Sequence, residues 1–158
     1  MRTVLNRLED RVFGYLDQHA YRILKVSIGV IYVIFGSLKF FPSFSPAEQL
    51  ASDTICLITF DVLSGNSACT TLAIMEVGIG LLLISNLWSR GVLLFTMWHM
   101  ACTFLPLIIL PDYAFTSEPF TFSIVGQYIV KNLVIISALL VLYKQERVKR
   151  LAADQSML

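Results

Sequence analysis

The chain has 158 residues, of which 56% are hydrophobic and only 15% are charged. A soluble domain of this length normally has about a quarter of its residues charged, so the composition argues against a soluble protein. The formal net charge of +1 gives no basis for binding nucleic acid. Several apolar runs have about 20 residues each, which is long enough to cross a bilayer. The sequence therefore predicts one integral membrane domain over residues 1–158.

The first 21 residues predict an amphipathic lead to this domain. Apolar residues recur there at spacings of three and four, and arginines mark the opposite side of the predicted helix. The lead is either a polar extension of the first spanning helix or an interfacial helix that lies along the headgroups. The first long apolar run begins near Ile23, after this charged segment, and no small-residue cleavage site follows it. No cleavable signal peptide is therefore predicted.

Four spanning helices are predicted, and the fold class is an all-α membrane four-helix bundle. The spans cover residues 23–41, 70–88, 92–110 and 123–143. Pro42 is expected to end the first span, and Pro106 is expected to kink the third. Small polar residues and glycine predict turns at residues 64–67 and 89–91. Residues 111–121 predict a loop before the fourth span.

A short extra helix is predicted in the loop between the first and second spans. Ser45 can cap this helix, Pro46 fits its first turn, and Glu48 completes a capping box. The helix is expected to run from Pro46 to about Leu57. Because it is too polar to span a bilayer, we expect it to lie at the surface or to fold over the bundle as a lid.

The distribution of lysine and arginine predicts the orientation of the chain. Basic residues cluster before the first span, between the second and third, and after the fourth, whereas the other two loops have none. The positive-inside rule then places both termini in the cytoplasm. Cys56 and Cys69 fall on the outer side, where they could form a disulfide or remain free apolar thiols. No cysteine pair has the spacing of a metal site, so no metal site is predicted.

Several polar residues interrupt the predicted spans. They are Lys39, Glu76, His99, Gln127, Lys131 and Asn132. A charged side chain at bilayer depth is costly and usually faces a partner or a wet cavity. The rise of a helix places Lys39, Glu76, His99 and Lys131 in the outer half of the membrane or near its midplane. We therefore expect them to share a polar pocket that opens outward.

The pocket residues have both a chemical and a structural interpretation. Lys39 and Lys131 set against one glutamate could hold an anion or the carbonyl oxygens of a quinone, and Glu76 and His99 could carry protons. Haem is not predicted, because no second histidine lies at a matching depth. Alternatively, Lys131 and Glu76 form a buried ion pair that only fixes helix register, and Lys39 reaches the interface.

The order and spacing of five segments resemble the DoxX-like family of small bacterial membrane proteins. The segments are FGSLKFF at 35–41, SPAE at 45–48, EVGIG at 76–80, HMACTFLP at 99–106 and GQYIVKN at 126–132. The resemblance extends from about Ile23 to Tyr143 and implies a four-helix membrane bundle. It also implies that the two lysines, Glu76 and His99 belong to the family pattern.

Three functions follow from the sequence. The resemblance implies a membrane subunit of a quinone- or sulfur-linked redox complex in a bacterial inner membrane, whose polar pocket would hold either a quinone as a cofactor or a small anion. The second is an accessory subunit, bound to other membrane subunits or to copies of itself, with no chemistry of its own. The third is a small-solute transporter, for which no inverted repeat is evident. The sequence leaves open whether the chain itself catalyses a reaction.

Overall fold

The computed structural model describes residues 2–41, 48–116 and 121–156, and it is 84% helical over those residues. The helices are α1 (Arg2–Leu38), α2 (Glu48–Ile58), α3 (Gly65–Ser85), α4 (Ser89–Cys102), α5 (Pro106–Ile109), α6 (Pro111–Ala114) and α7 (Ile124–Gln155). Within these ranges the only β-type pairing is one antiparallel bridge between Phe115 and Phe122. The predicted all-α fold class is confirmed.

Four segments are long and apolar enough to cross a membrane. They are Gln18–Leu38, Gly65–Ser85, Ser89–Ile109 and Ile124–Gln155. The third combines α4 and α5, and the others lie in α1, α3 and α7. The protein is therefore a multi-pass membrane protein.

The amphipathic lead is continuous with the first spanning segment. Helix α1 runs from Arg2 to Leu38 without a break, so the structure selects a polar extension over a separate interfacial helix. The helix ends at Leu38, three residues before the predicted end, and Lys39 lies in the following turn. Pro42, the predicted stop, lies outside the described residues, as do the predicted caps Ser45 and Pro46. The extra helix is present as α2.

Both predicted turns are wrong in position. Residues 64–67 begin α3: Ser64 has an extended backbone, and its backbone N–H donates to the Ser67 hydroxyl at 3.3 Å. Small polar residues that favour turns are also the preferred caps of helices, which explains this error. The second turn lies at residues 86–88 rather than 89–91. Asn86 adopts the left-handed conformation there, with φ 61°, and α4 begins at Ser89.

The third spanning segment is interrupted before Pro106, because proline has no backbone N–H that could continue the helical hydrogen bonds. Helix α4 ends at Cys102, a turn follows, and α5 begins at Pro106. Part of the loop predicted at residues 111–121 has regular structure instead, because α6 occupies Pro111–Ala114 and the Phe115–Phe122 bridge follows.

The most extensive helix pair is α1 with α3. Two glycines make this approach possible. A Cβ atom at Gly29 would lie 2.8 Å from the Gly80 carbonyl oxygen, and a Cβ atom at Gly80 would lie 2.6 Å from the Gly29 oxygen. Small residues let two spanning helices approach closely, so the backbones touch at this level. Helix α7 packs mainly on α4, and α2 packs on α3.

The bundle has two distinct ends. At the terminal end, the Tyr21 hydroxyl of α1 donates to Glu146 Oε2 of α7 at 2.7 Å, and Lys149 Nζ lies 4.0 Å from the Tyr21 ring centroid. The loop end carries α2, α5 and α6. The apolar core lies between these ends, where Leu83, Leu93 and other side chains of α1, α3, α4 and α7 are buried.

Candidate functional site

Four titratable side chains form a cluster between α1, α3 and α4, which we call the Glu76 cluster. Lys39 Nζ donates to Glu76 Oε2 at 2.5 Å. His99 Nε2 lies 3.7 Å from the other carboxylate oxygen, Oε1. The Tyr32 hydroxyl lies 2.9 Å from His99 Nδ1. A chain of polar groups therefore runs from Tyr32 through His99 and Glu76 to Lys39.

Helix geometry explains why these residues meet. Tyr32, Gly36 and Lys39 follow one another at spacings of four and three, which places them on one face of the chain as α1 ends. A Cβ atom at Gly36 would lie 2.9 Å from the Cβ atom of Glu76. The absence of a side chain at Gly36 therefore lets the turn of α3 that carries the carboxylate pack directly against α1.

The cluster is almost fully removed from the surface. Tyr32, His99 and Glu76 are 3%, 4% and 8% exposed, and the side chain of Lys39 is 11% exposed. Among the side chains that the structure describes, every buried nitrogen and oxygen atom has a hydrogen-bond partner. In such surroundings electrostatic contacts are stronger than in water, which favours a fixed geometry.

The cluster can hold a proton at more than one atom. A neutral imidazole has one donor and one acceptor nitrogen. With its proton on Nε2, His99 faces the Glu76 carboxylate and accepts the Tyr32 hydroxyl at Nδ1. The 3.7 Å separation of Nε2 and Oε1 is longer than a hydrogen bond. A small movement of the histidine or glutamate would close this gap, and a protonated Glu76 could then give its proton to Nε2 in the other tautomer, in which Nδ1–H donates to the Tyr32 hydroxyl.

Lys131 lies away from the Glu76 cluster. Its side chain is exposed on α7, with Nζ 4.9 Å from the ring centroid of Tyr128. The cluster therefore has one lysine against one glutamate, rather than the two lysines expected from the sequence. Without the second positive charge, the electrostatic argument for an anion in this pocket no longer applies.

The two predicted amide residues also lie outside the cluster. Asn132 Nδ2 donates to the Thr103 hydroxyl at 3.1 Å, which ties α7 to the end of α4. Gln127 is exposed, and its Nε2 donates to the backbone oxygen of Phe122 at 3.4 Å. The structure thus brings together Lys39, Glu76 and His99, and adds Tyr32 to them.

The cysteines are free thiols in the structure. Cys56 Sγ donates to Asp61 Oδ1 at 2.7 Å, whereas Cys69 Sγ donates to the Glu48 carbonyl oxygen at 3.6 Å. Of the two alternatives for Cys56 and Cys69, the structure therefore has free thiols with separate partners, and Cys56 is held by the chain that follows its own helix. The hydrogen bond to the Asp61 carboxylate raises the pKa of the Cys56 thiol.

A second buried lysine was missed by the sequence analysis. Lys25 is 2% exposed, and its Nζ donates to Asn86 Oδ1 at 2.7 Å and to the Ser89 hydroxyl at 2.6 Å. In the sequence, Lys25 is one of the basic residues at the start of the first span, and no partner inside the bundle was expected for it. Lys25 lies four residues before Gly29 and seven before Tyr32, so helix geometry places it on the face of α1 that carries these two residues. This spacing could have indicated that Lys25 is buried.

Comparison of the chain with protein-family models, curated proteins and solved structures finds no match. The resemblance to the DoxX-like family stays a prediction. Function is therefore inferred from the side chains themselves.

Proposed function

We propose that this chain is a membrane subunit of a redox complex in a bacterial inner membrane, and that the Glu76 cluster carries protons for a quinone. The observation that supports this proposal is the row of four titratable side chains in contact with one another between α1, α3 and α4. Ionisable residues within spanning helices characteristically form proton relays. The DoxX-like resemblance of the sequence supports the same class of complex.

The residues of the cluster fit the chemistry of a quinone. Reduction to a quinol takes up two electrons and two protons, with the electrons supplied by a redox-active partner subunit. Glu76 and His99 are the groups that accept and release the protons. Lys39 holds the glutamate and can donate a hydrogen bond to a carbonyl oxygen, while Tyr32 fixes the orientation of the His99 ring. Lys39 lies at the loop end, which faces outward if both termini are cytoplasmic.

Native mass spectrometry of the gently purified protein tests this proposal. We expect a quinone to accompany the wild-type chain and to be lost in Lys39→Met and His99→Phe. Lys144→Met is the matched control, because it removes an exposed lysine far from the cluster and should keep the quinone. Wild-type protein that carries no quinone, but binds stoichiometric partner proteins, would reject the quinone role.

A specific observation also favours the alternative of an accessory subunit. Lys131 is exposed seven residues after the start of α7, about 10 Å along the helix. Gln127, one turn earlier, is exposed as well. Polar groups at this depth rarely face lipid, so this side of α7 fits a polar surface on another membrane subunit or on a second copy.

Lys131→Met distinguishes the accessory role from the quinone role. If the exposed face of α7 binds another subunit, the variant loses that subunit or dissociates into single chains, while any bound quinone is retained. Lys144→Met again serves as the control. A variant with an unchanged assembly, measured by native mass spectrometry, contradicts the accessory interpretation of this face.

A further inference from the structure

One cavity lies at the terminal end of the bundle, and a second cavity adjoins it and runs along α3 as far as Ile74, at the level of Glu76. The first, which we call the headgroup cavity, has a volume of about 490 Å³ and is lined by Arg90, Glu146 and Arg150, among others. The second, which we call the apolar groove, has a volume of about 350 Å³ and follows α3 and α4. Trp88 and Gly91 line both of them, so the two cavities lie side by side.

The position of the shared residues matches a membrane boundary. One apolar segment ends at Ser85 and the next begins at Ser89. Trp88 lies between them and is 85% exposed. Tryptophan is enriched at the level of lipid headgroups. The headgroup cavity therefore lies at the depth of the headgroups, and the apolar groove lies at the depth of the acyl chains.

The lining and the length of the apolar groove suit one acyl chain. Ile74, Gly78 and Leu82 line it at intervals of one helical turn, and Phe95 faces them from α4. Ile74 and Leu82 are eight residues apart, so the groove follows α3 for about 12 Å. A Cβ atom at Gly78 would meet nothing within 4 Å, which shows that the space is open at its centre.

The headgroup cavity has a positive balance of charge. Arg90 and Arg150 face Glu146, whose carboxylate already accepts the Tyr21 hydroxyl at 2.7 Å. In the described part of the chain, neither arginine takes part in an ion pair. The buried Lys25 donates to the Ser89 hydroxyl at 2.6 Å and adds a further positive charge behind the cavity wall. Two guanidinium groups in this setting suit a phosphate group.

We propose that the terminal end binds an anionic phospholipid. Its phosphate lies in the headgroup cavity against Arg90 and Arg150, and one acyl chain lies in the apolar groove between α3 and α4. A zwitterionic lipid carries its own compensating cation and gains less from the positive cavity. The site therefore selects lipids by charge as well as by shape.

Native mass spectrometry of the full chain tests the headgroup, using phosphatidylglycerol and phosphatidylcholine with identical acyl chains. We expect the wild type to bind phosphatidylglycerol more tightly. In Arg90→Gln/Arg150→Gln, its affinity falls about fivefold for each arginine removed. Arg22→Gln/Arg147→Gln removes the same charge from exposed positions outside both cavities and should leave the affinity almost unchanged. Equal binding of both lipids, or equal losses in both double variants, overturns the proposal.

Filling the groove tests the acyl chain. Gly78→Leu and Gly91→Leu place side chains in open space, since a Cβ atom at either position meets nothing within 4 Å. We expect both variants to elute as the wild type does in size-exclusion chromatography and to lose the bound lipid. If both still bind phosphatidylglycerol as the wild type does, the chain does not lie in the groove and the proposal is overturned.

Discussion

Glu76 connects the two halves of its cluster, because one carboxylate oxygen faces Lys39 and the other faces His99. Both charges of the ion pair are largely removed from solvent, so each depends on the other for compensation. Removing one partner of a buried pair leaves an uncompensated charge and is more damaging than removing both.

Glu76→Gln keeps the size of the side chain but removes its charge, and Lys39→Met removes the opposite charge. We expect each single substitution to lower the free energy of unfolding by about 3 kcal/mol. The double variant Lys39→Met/Glu76→Gln should lose clearly less free energy of unfolding than the two single variants lose together, because neither charge is left unpaired. Denaturant unfolding in detergent measures this cycle. Strictly additive losses contradict a direct interaction between the two residues.

The pH at which the Cys56 thiol becomes reactive depends on the neighbouring Asp61 carboxylate. The hydrogen bond to Asp61 and the charge of that carboxylate raise the thiol pKa, so the reactive thiolate is less abundant near neutral pH. We expect Cys56 to react slowly with maleimide at pH 7 and faster as the pH rises through the raised pKa. Asp61→Asn should speed the reaction at pH 7. Equal rates in the two proteins would show that Asp61 does not control the thiol.

At the scale of the helices, two glycines of α3 provide a matched comparison. A Cβ atom at Gly80 would lie 2.6 Å from the Gly29 backbone oxygen, whereas a Cβ atom at Gly78 would meet nothing within 4 Å. Gly80→Ala should force α1 and α3 apart and lower the free energy of unfolding by about 1–3 kcal/mol. Gly78→Ala should be neutral or stabilising, because alanine is more favourable than glycine inside a helix by up to about 1 kcal/mol. Thermal unfolding of both variants measures the difference.

The number and identity of the spanning helices could be predicted, because length and hydrophobicity decide whether a segment crosses a bilayer. Their ends were less predictable. Ser64 and Asn86 belong to residue types that serve both turns and helix ends, so sequence alone placed the turns a few residues from their observed positions. Whether such a residue forms a turn or ends a helix depends on how the rest of the chain packs.

The rotation of α7 could not be predicted from its sequence. Lys131 was expected inside the bundle because a charge at bilayer depth usually faces a partner or a wet cavity, yet Lys131 and Gln127 are both exposed. A spanning helix is apolar on every side, so no hydrophobic face indicates which side packs. Here Gly126 and Ile129 face the protein instead. By contrast, Lys39, Glu76 and His99 were expected in one pocket and do form one cluster, although the partner expected for Glu76 was Lys131 and the observed partner is Lys39.

At the scale of the whole molecule, the charges divide between the two ends. Arginine and lysine concentrate at the terminal end, in the lead, in the first turn of α4 and in the last turns of α7. Residues 42–64 and 110–123 contain neither arginine nor lysine, while both carry acidic residues. Lys39, near the loop end, is already paired with Glu76. Because the bias lies entirely at one end, the positive-inside rule predicts cytoplasmic termini.

Labelling with a membrane-impermeant maleimide tests this orientation. In spheroplasts at alkaline pH, we expect Cys56, which lies on α2 at the loop end, to be labelled from outside. A cysteine introduced by Ser156→Cys, in a Cys56→Ser background, should be labelled only after the membrane is permeabilised. Cys69 should contribute little to either signal, because it is 2% exposed. Labelling of the introduced cysteine in sealed spheroplasts would reverse the topology. It would also place the loop end and Lys39 on the cytoplasmic side.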